Sequence, residues 1–327
     1  MKVFLTGASG FVGSHVLDAL RAGHHEVSIL LRRTSNTRFV SRHLSDVTVH
    51  YGSLGDPEGL KTAMTGCDAV IHCAGIIKAL HSSDFYRVNQ AGTRNIVMAA
   101  NACRESVRHL IYISSLAVSG PGVPGCPAEE TSEPQPVTVY GQSKRLGEIE
   151  IRQGCRVAWT ILRPAAVYGP RDAEFLNLFQ KVKRRMMPLV SGAKRSLNMV
   201  YGPDVAAAVL CSLTRDRGAG ETYHVAAQPP CSDEEFMQEI ARSLDVQPFR
   251  LRIPRSGLYL ACVIQEIGSK LTGRPNILCR QKMPELLAPG WVCRTNRIHQ
   301  DLGFTAPTSL KEGVGRTVEW YRREGWL

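Results

Sequence analysis

Residues 138–148 read TVYGQSKRLGE, with tyrosine at 140 and lysine at 144. Four residues is one helical turn, which sets the phenol of Tyr140 and the ammonium of Lys144 on one helix face, about 5–6 Å apart at Cβ. A free phenol has a pKa of about 10, too high for a base near neutrality, and an adjacent ammonium favours phenolate. The pair suits proton transfer to or from an oxygen. Upstream, HLIYISSLAVSG places Ser114 and Ser115 at the end of a predicted strand. Ligands of open α/β sheets bind at the carboxyl ends of strands, so either serine is placed to meet one.

A second chemical signal lies at the N-terminus, where TGASGFVG follows the first predicted strand and opens the first predicted helix. Its glycines are Gly7, Gly10 and Gly13, with Ser9, Phe11 and Val12 between them. Glycine lets the backbone turn sharply and approach a pyrophosphate, and a helix N-terminus offers free N–H groups and a positive dipole end. A glycine triplet alone also marks tight turns; the strand before and the helix after make this one a dinucleotide cradle. The second strand ends ILLRRTSN, with Arg32 and Arg33 where a carboxylate would hold an adenosine ribose hydroxyl. Arginine's planar, permanently charged fork suits a 2′-phosphate, which favours NADP(H) over NAD(H).

KVFLTG, EVSILL, VTVHYG, AVIHCAG, HLIYISS and VAWTILRP read as strands separated by helical patterns. That alternation predicts an α/β Rossmann-type fold, a doubly wound parallel sheet covered on both faces. DVAAAVLCSL and ETYHVAA read as a later helix and strand of the same layer. Residues 1–165 and 200–227 are expected to bind the nucleotide. Residues 166–199 and 228–327 are expected to form a smaller, mainly helical substrate domain, closing on an amphipathic helix in TSLKEGVGRTVEWYRREGWL. No linker or internal repeat separates the parts, so a cleft between them is expected.

With these motifs in order, the chain resembles the extended short-chain dehydrogenase/reductases nearly end to end. The resemblance rests on TGASGFVG, the IHCAG strand end at 71–75, VNQAGTRN at 88–95, ISSLAVSG, YGQSK, RPAAVYGP at 163–170 and MVYGPDVAAAV around Asp204. It implies that Ser115 holds the substrate oxygen, Tyr140 is the acid/base, and Lys144 binds the nicotinamide ribose while lowering the tyrosine's pKa. Ser114 is the near alternative to Ser115. Cofactor contacts are implied at Ser53, Leu54, Ala74, Gly75, Asn89, Pro164 and Val167. His72 lacks an acidic orienting partner nearby and is assigned no chemistry.

Departures from the family pattern narrow the branch. Ala166 stands where nucleotide-sugar members commonly carry a diphosphate-contacting asparagine, and Ser53 stands where an acidic residue reaches the adenine. IPRSGLYLACVIQEIGSKLTGRP, with Glu266 and its closing Gly273-Arg274-Pro275, is similar to the dihydroflavonol reductase and 3β-hydroxysteroid dehydrogenase branch. The expectation is a ketone or secondary alcohol on an apolar small molecule, steroid-, terpenoid- or flavonoid-like. The alternatives are a nucleotide-sugar epimerase or dehydratase and a non-catalytic NADP(H) sensor. The apolar face of residues 258–267 is expected to line a greasy pocket or the core, the alternative being a membrane surface met by Arg252, Arg255 and Lys270. The resemblance also implies a homodimer through the helix carrying Tyr140.

Composition limits the remaining classes. The net charge of +11 favours acidic or phosphorylated partners. Yet the densest basic cluster, Lys181 to Arg185, lacks interleaved aromatics and reads as a solvated helix face, so no nucleic-acid partner is expected. Ten cysteines without a Cys-x-x-Cys pair read as reduced thiols of a cytoplasmic protein, with no metal site. The stretch 258–267 is too short to span a bilayer.

Overall fold

The computed structural model describes residues 1–192, 195–215, 218–273, 275–276 and 278–327. The predicted apolar runs form β1 (Lys2–Thr6), β2 (Glu26–Leu31), β3 (Thr48–Tyr51), β4 (Ala69–His72), β5 (His109–Ile113) and β6 (Ala158–Pro164). Beyond β6 the chain leaves the sheet through β7 (Ala166–Tyr168), β8 (Met186–Val190), β9 (Ser196–Leu197) and β10 (Met199–Tyr201), then returns as β11 (Glu221–Val225). The resulting seven-stranded sheet runs β11-β6-β5-β4-β1-β2-β3, every neighbour parallel. Strand order reverses at β1, so the crevice beyond β1 and β4 is the topological switch point.

Both faces are buried, and the strands alternate between two cores accordingly. Val3, Leu5, Ile71 and Ile111 face one core, whereas Phe4, Val70, Leu110 and Tyr112 face the other. Helices α1 (Phe11–Ala22), α2 (Pro57–Met64), α3 (Ser82–Phe85), α4 (Gly92–Ala102), α5 (Val139–Gly154), α6 (Leu176–Lys183) and α7 (Gly202–Leu213) follow in chain order. α1 and α7 cover the first face; α2, α4 and α5 cover the second. Between α3 and α4 a π-helical turn, Tyr86–Ala91, carries Asn89, and such turns are frequent at functional sites.

The rest of the chain comprises β12 (Cys231–Ser232), α8 (Asp233–Leu244), β13 (Phe249–Ile253), α9 (Arg255–Thr272), α10 (Met283–Leu286), β14 (Gly290–Trp291), α11 (Asn296–Leu302) and α12 (Leu310–Arg323). α8 starts with a capping box: Ser232 Oγ accepts from Glu235 N–H at 3.1 Å and the Glu235 carboxylate accepts from Ser232 N–H at 2.7 Å. A third core gathers Tyr168, Phe179, Tyr201, Phe236, Val314 and Tyr321 from α6, α8, α12 and the excursion strands. Ile298, Leu302 and Phe304, around α11, pack back on the first core beside Tyr223. Asp204 pins this last segment, accepting from the Thr308 amide at 3.0 Å and hydroxyl at 2.7 Å.

α9 departs from expectation. Of its eighteen residues only Leu258 and Cys262 are buried, and its main apolar stripe faces outward instead of lining a pocket or core. Gly273 ends it in the left-handed conformation, at φ 66°; Arg274 lies outside the described residues.

Candidate active site

At the switch point the glycines are required by space. A Cβ on Gly13 would lie 2.0 Å from the Gly7 carbonyl oxygen, and one on Gly7 would lie 2.6 Å from the Ala74 nitrogen. Gly7 also needs φ 76°. The backbone of 7–13 therefore packs against itself and against the end of β4, with Ala74 N–H donating to Thr6 Oγ1 at 3.3 Å. Gly10, the N-cap of α1, contributes no side-chain cap, so the first N–H groups of a twelve-residue helix stay open to an anion. Ser9, Phe11 and Val12 complete this loop. Val167 packs beside it on the core that holds Ala8 and Val12, and Pro164 closes β6. A cradle that any Cβ would fill fits a dinucleotide's pyrophosphate.

Thr138 caps α5, its hydroxyl accepting from Gly141 N–H at 3.1 Å, and so sets where the helix presents Tyr140 and Lys144. Ser115 Oγ accepts from Ala117 N–H at 3.1 Å and stands close enough to the Tyr140 phenol to act on its ionisation. Burial pushes the phenol up to about 12; Ser115 opposes that shift, and Glu285 and Cys73 add to it. Lys144 is only 4 % exposed, and burial lowers its ammonium to about 8. Its Nζ donates to the Ile113 carbonyl at 2.6 Å and stands 4.2 Å from the centroid of Tyr112. Lys144 thus points its ammonium at the end of β5, and Ser115 is the side chain that favours the phenolate.

The two serines have separate environments. Ser114 Oγ donates to the Glu148 carboxylate at 2.5 Å. Glu148 is in turn held by Arg163, with Nε at 2.8 Å and Nη2 at 2.6 Å, and both ionic side chains are almost fully buried. Ser115 alone faces the phenol. Asn89 braces the other side, donating to Ser143 Oγ at 2.9 Å and to the Ile76 carbonyl at 3.0 Å while accepting from Ile76 N–H at 2.9 Å. Gly75 keeps the space open, since a Cβ there would lie 3.1 Å from Asn89 Oδ1 and 3.7 Å from Lys144 Nζ.

The remaining expected contacts divide. Leu54 packs on Gly92 and its carbonyl accepts from Asn95 at 2.7 Å, and Ser53 Oγ accepts from Gly55 N–H at 3.2 Å. Arg32 and Arg33 are exposed beyond β2. The Arg33 guanidinium lies over Tyr51, at 5.5 Å, whereas that of Arg32 makes no hydrogen bond or ion pair among the described residues. His72 is a buried structural residue, bonded to Thr6 at 2.8 Å and Thr93 at 3.1 Å and lowered by burial to about 3.

Sequence reasoning missed the outer wall. A cavity at Tyr140 is lined by Phe85, Ile77, Cys279, Gln281 and Lys282. Lys282 Nζ lies 5.7 Å from the Tyr140 centroid and is paired with Glu285 at 2.7 Å. Cys279, Gln281 and Lys282 follow Tyr140 by about 140 positions and belong to no motif, so only tertiary packing reveals them. Glu266 did stand out in the sequence, and its place here is specific: it accepts from Arg280 N–H at 2.8 Å and from Arg280 Nε at 2.7 Å, tying α9 to this wall.

A parallel sheet with a glycine cradle at its switch point, and a serine–tyrosine–lysine set beside the cradle, defines a nicotinamide-dependent enzyme of the Rossmann type. The chain belongs to the NAD dependent epimerase/dehydratase family, whose pattern matches residues 3–226, as the motif resemblance implied. It is 33 % identical to the ceramide reductase of Caulobacter vibrioides (strain NA1000 / CB15N), across 99 % of this chain and 96 % of that one. It is 26 % identical to the N-acetyl-alpha-D-glucosaminyl-diphospho-ditrans,octacis-undecaprenol 4-epimerase of Escherichia coli O157:H7, across 98 % and 95 %. Among solved structures it is similar to gox2253, with a TM-score of 0.82, 24 % identity and 99 % of each chain covered.

Proposed function

We propose that the protein is an NADP(H)-dependent reductase that interconverts a ketone and a secondary alcohol on a largely apolar small molecule of steroid, terpenoid, flavonoid or other lipid character. The observation that carries this reading is the placement of Ser115 beside the Tyr140 phenol, at a cavity that Phe85 and Ile77 line together with Lys78 and Lys282. Reductase chemistry in a lipid-named relative supports the substrate class.

The nicotinamide, when bound, supplies the hydride. The protein's own part is to hold the carbonyl oxygen on the Ser115 hydroxyl and to deliver the Tyr140 proton to it as charge develops there. Lys144 would hold the nicotinamide ribose and place positive charge near the phenolate that remains. Asn89 and Ser143 fix the helix turn from which Lys144 projects. Gly7 to Gly13 would receive the pyrophosphate, Ala74, Gly75, Pro164 and Val167 would flank the nicotinamide half, and Ser53 and Leu54 would border the adenine. Arg32, whose guanidinium is uncommitted, takes the 2′-phosphate. The nucleotide is bound by residues 1–165 and 200–227, the substrate by 166–199 and 228–327. The active species is a cytoplasmic homodimer joined through α4 and α5, and its ten free cysteines suit a reducing compartment.

A second reading, epimerisation of a sugar nucleotide or of a sugar linked to a polyprenol through a diphosphate, is favoured by the undecaprenol-named relative. Ala166 at the diphosphate-contacting position speaks against it. A third reading, a cofactor sensor without turnover, is separated by Tyr140→Phe. A sensor keeps its function in that variant, whereas the reductase loses turnover and retains cofactor.

A further inference from the structure

We infer that α9 is a docking surface for an anionic phospholipid bilayer and that it sets the substrate cavity against the membrane from which an apolar substrate comes. The substrate half of this inference rests on the reductase reading above; the docking half does not.

Leu260, Ile264, Ile267 and Leu271 are 59, 59, 54 and 83 % exposed. At 3.6 residues per turn they fall within ~60° of one another, and the two buried residues, Leu258 and Cys262, lie on the opposite side of the helix. The stripe therefore points directly away from the protein body. Large apolar side chains aligned this way mark an interaction site on a soluble surface. No described helix is long and apolar enough to cross a membrane, so the geometry is that of a helix lying in an interface.

Charge selects the occupant. Lys270 on α9, Arg255 at its start and Arg252 just before it are exposed and make no salt bridge among the described residues. The neighbouring acids are already engaged: Glu266 with Arg280, Glu234 with Arg250 and Glu285 with Lys282. A second copy docked through this stripe about a two-fold axis would bring like cations together. An anionic leaflet instead offers phosphate to Lys270, which flanks the stripe.

The stripe is coupled to the cavity by hydrogen bonds. Asn276 donates to Gln265 at 2.6 Å and Arg280 donates to Glu266, so the segment that supplies Cys279, Gln281 and Lys282 to the Tyr140 cavity hangs on α9. Across the cavity mouth Gln281 donates to Ser82 at 3.1 Å, near the exposed Ile77 and Leu80. A bilayer touching α9 thus lies one helix width from the segment that walls the Tyr140 cavity.

The test is co-sedimentation of the full chain with vesicles of three parts phosphatidylcholine to one part phosphatidylglycerol, and with phosphatidylcholine alone. The wild type pellets with the anionic vesicles, less so as salt rises. Ile264→Glu combined with Leu271→Glu lowers that partition at least about ten-fold, leaves turnover of a short water-soluble ketone unchanged, and lowers turnover of a long-chain ketone carried in the same vesicles. A wild type that stays in the supernatant overturns the inference, as does a double variant that pellets equally well. So does a concentration-dependent dimer that the double variant dissolves, which assigns the stripe to a second copy. Pelleting is read without turnover, so failure of the soluble-ketone assay overturns the proposed reaction and not the docking surface.

Discussion

The hydroxyl of Ser114 donates to the carboxylate of Glu148 at 2.5 Å, and that bond commits the first of the two adjacent serines to the protein interior. Its neighbour Ser115 is left to the Tyr140 phenol. Ser115→Ala is expected to lower kcat by about 10²-fold with thermal stability retained, by analogy with loss of one oxyanion donor. Ser114→Ala is expected to cost about 2 kcal/mol of stability, the worth of a hydrogen bond to a charged group, with a smaller effect on kcat. Steady-state kinetics and thermal unfolding of the two variants separate the roles; equal kinetic losses would contradict them.

The same carboxylate holds Arg163 in a buried two-pronged pair. Glu148→Ala strands the guanidinium without its partner, and about 3–5 kcal/mol of stability should be lost. Denaturant unfolding reads this loss. A Glu148→Ala, Arg163→Met double variant should recover part of it, because the uncompensated charge is gone.

Lys144 links stability and activity in opposite senses. Its folded pKa of about 8 lies below the ordinary lysine value of 10.5. Between those values the folded chain binds fewer protons than the unfolded one, so this group's contribution to stability rises with pH across that window. Turnover needs the ammonium and should fall above about pH 8. Lys144→Met should lack this rise, so that its Tm difference from the wild type varies with pH across the window, and should lower kcat by at least about 10²-fold. A wild-type rate unchanged from pH 7 to pH 9 would contradict the role given to the ammonium.

Arg32 is the discriminating test of cofactor preference. Arg32→Ala should raise KM for NADPH about ten-fold, the loss of one charge-assisted phosphate contact, and leave KM for NADH nearly unchanged. Arg33, stacked over Tyr51, should matter less on substitution.

Much of this architecture was legible in the sequence, for physical reasons that differ by element. The strands from Lys2 to Pro164 were legible because a parallel sheet buried on both faces demands short continuous apolar runs. The glycine loop was legible because positions 7 and 13 tolerate no Cβ, whatever the surrounding sequence. Lys144's engagement with Ile113 was not legible, since helical spacing fixes where a side chain starts and not where a flexible four-carbon stem ends. The direction of α9 was hidden for a similar reason. An amphipathic pattern says that a helix has an apolar face, but a core, a cavity and a bilayer all accept that face. Lys282 and Cys279 reach Tyr140 only because Glu266 and Gln265 draw their loop onto α9, a tertiary fact with no local signature.

The most direct test of the central claim is the absorbance of the reduced nicotinamide, followed with purified protein, NADPH or NADH, a panel of apolar ketones, and UDP- and GDP-sugars. Net loss of NADPH with a ketone is expected, faster than with NADH, and no such loss in Tyr140→Phe. No net loss with any ketone, together with a sugar nucleotide changed on chromatography, would contradict it and make the enzyme an epimerase or dehydratase that regenerates its own cofactor.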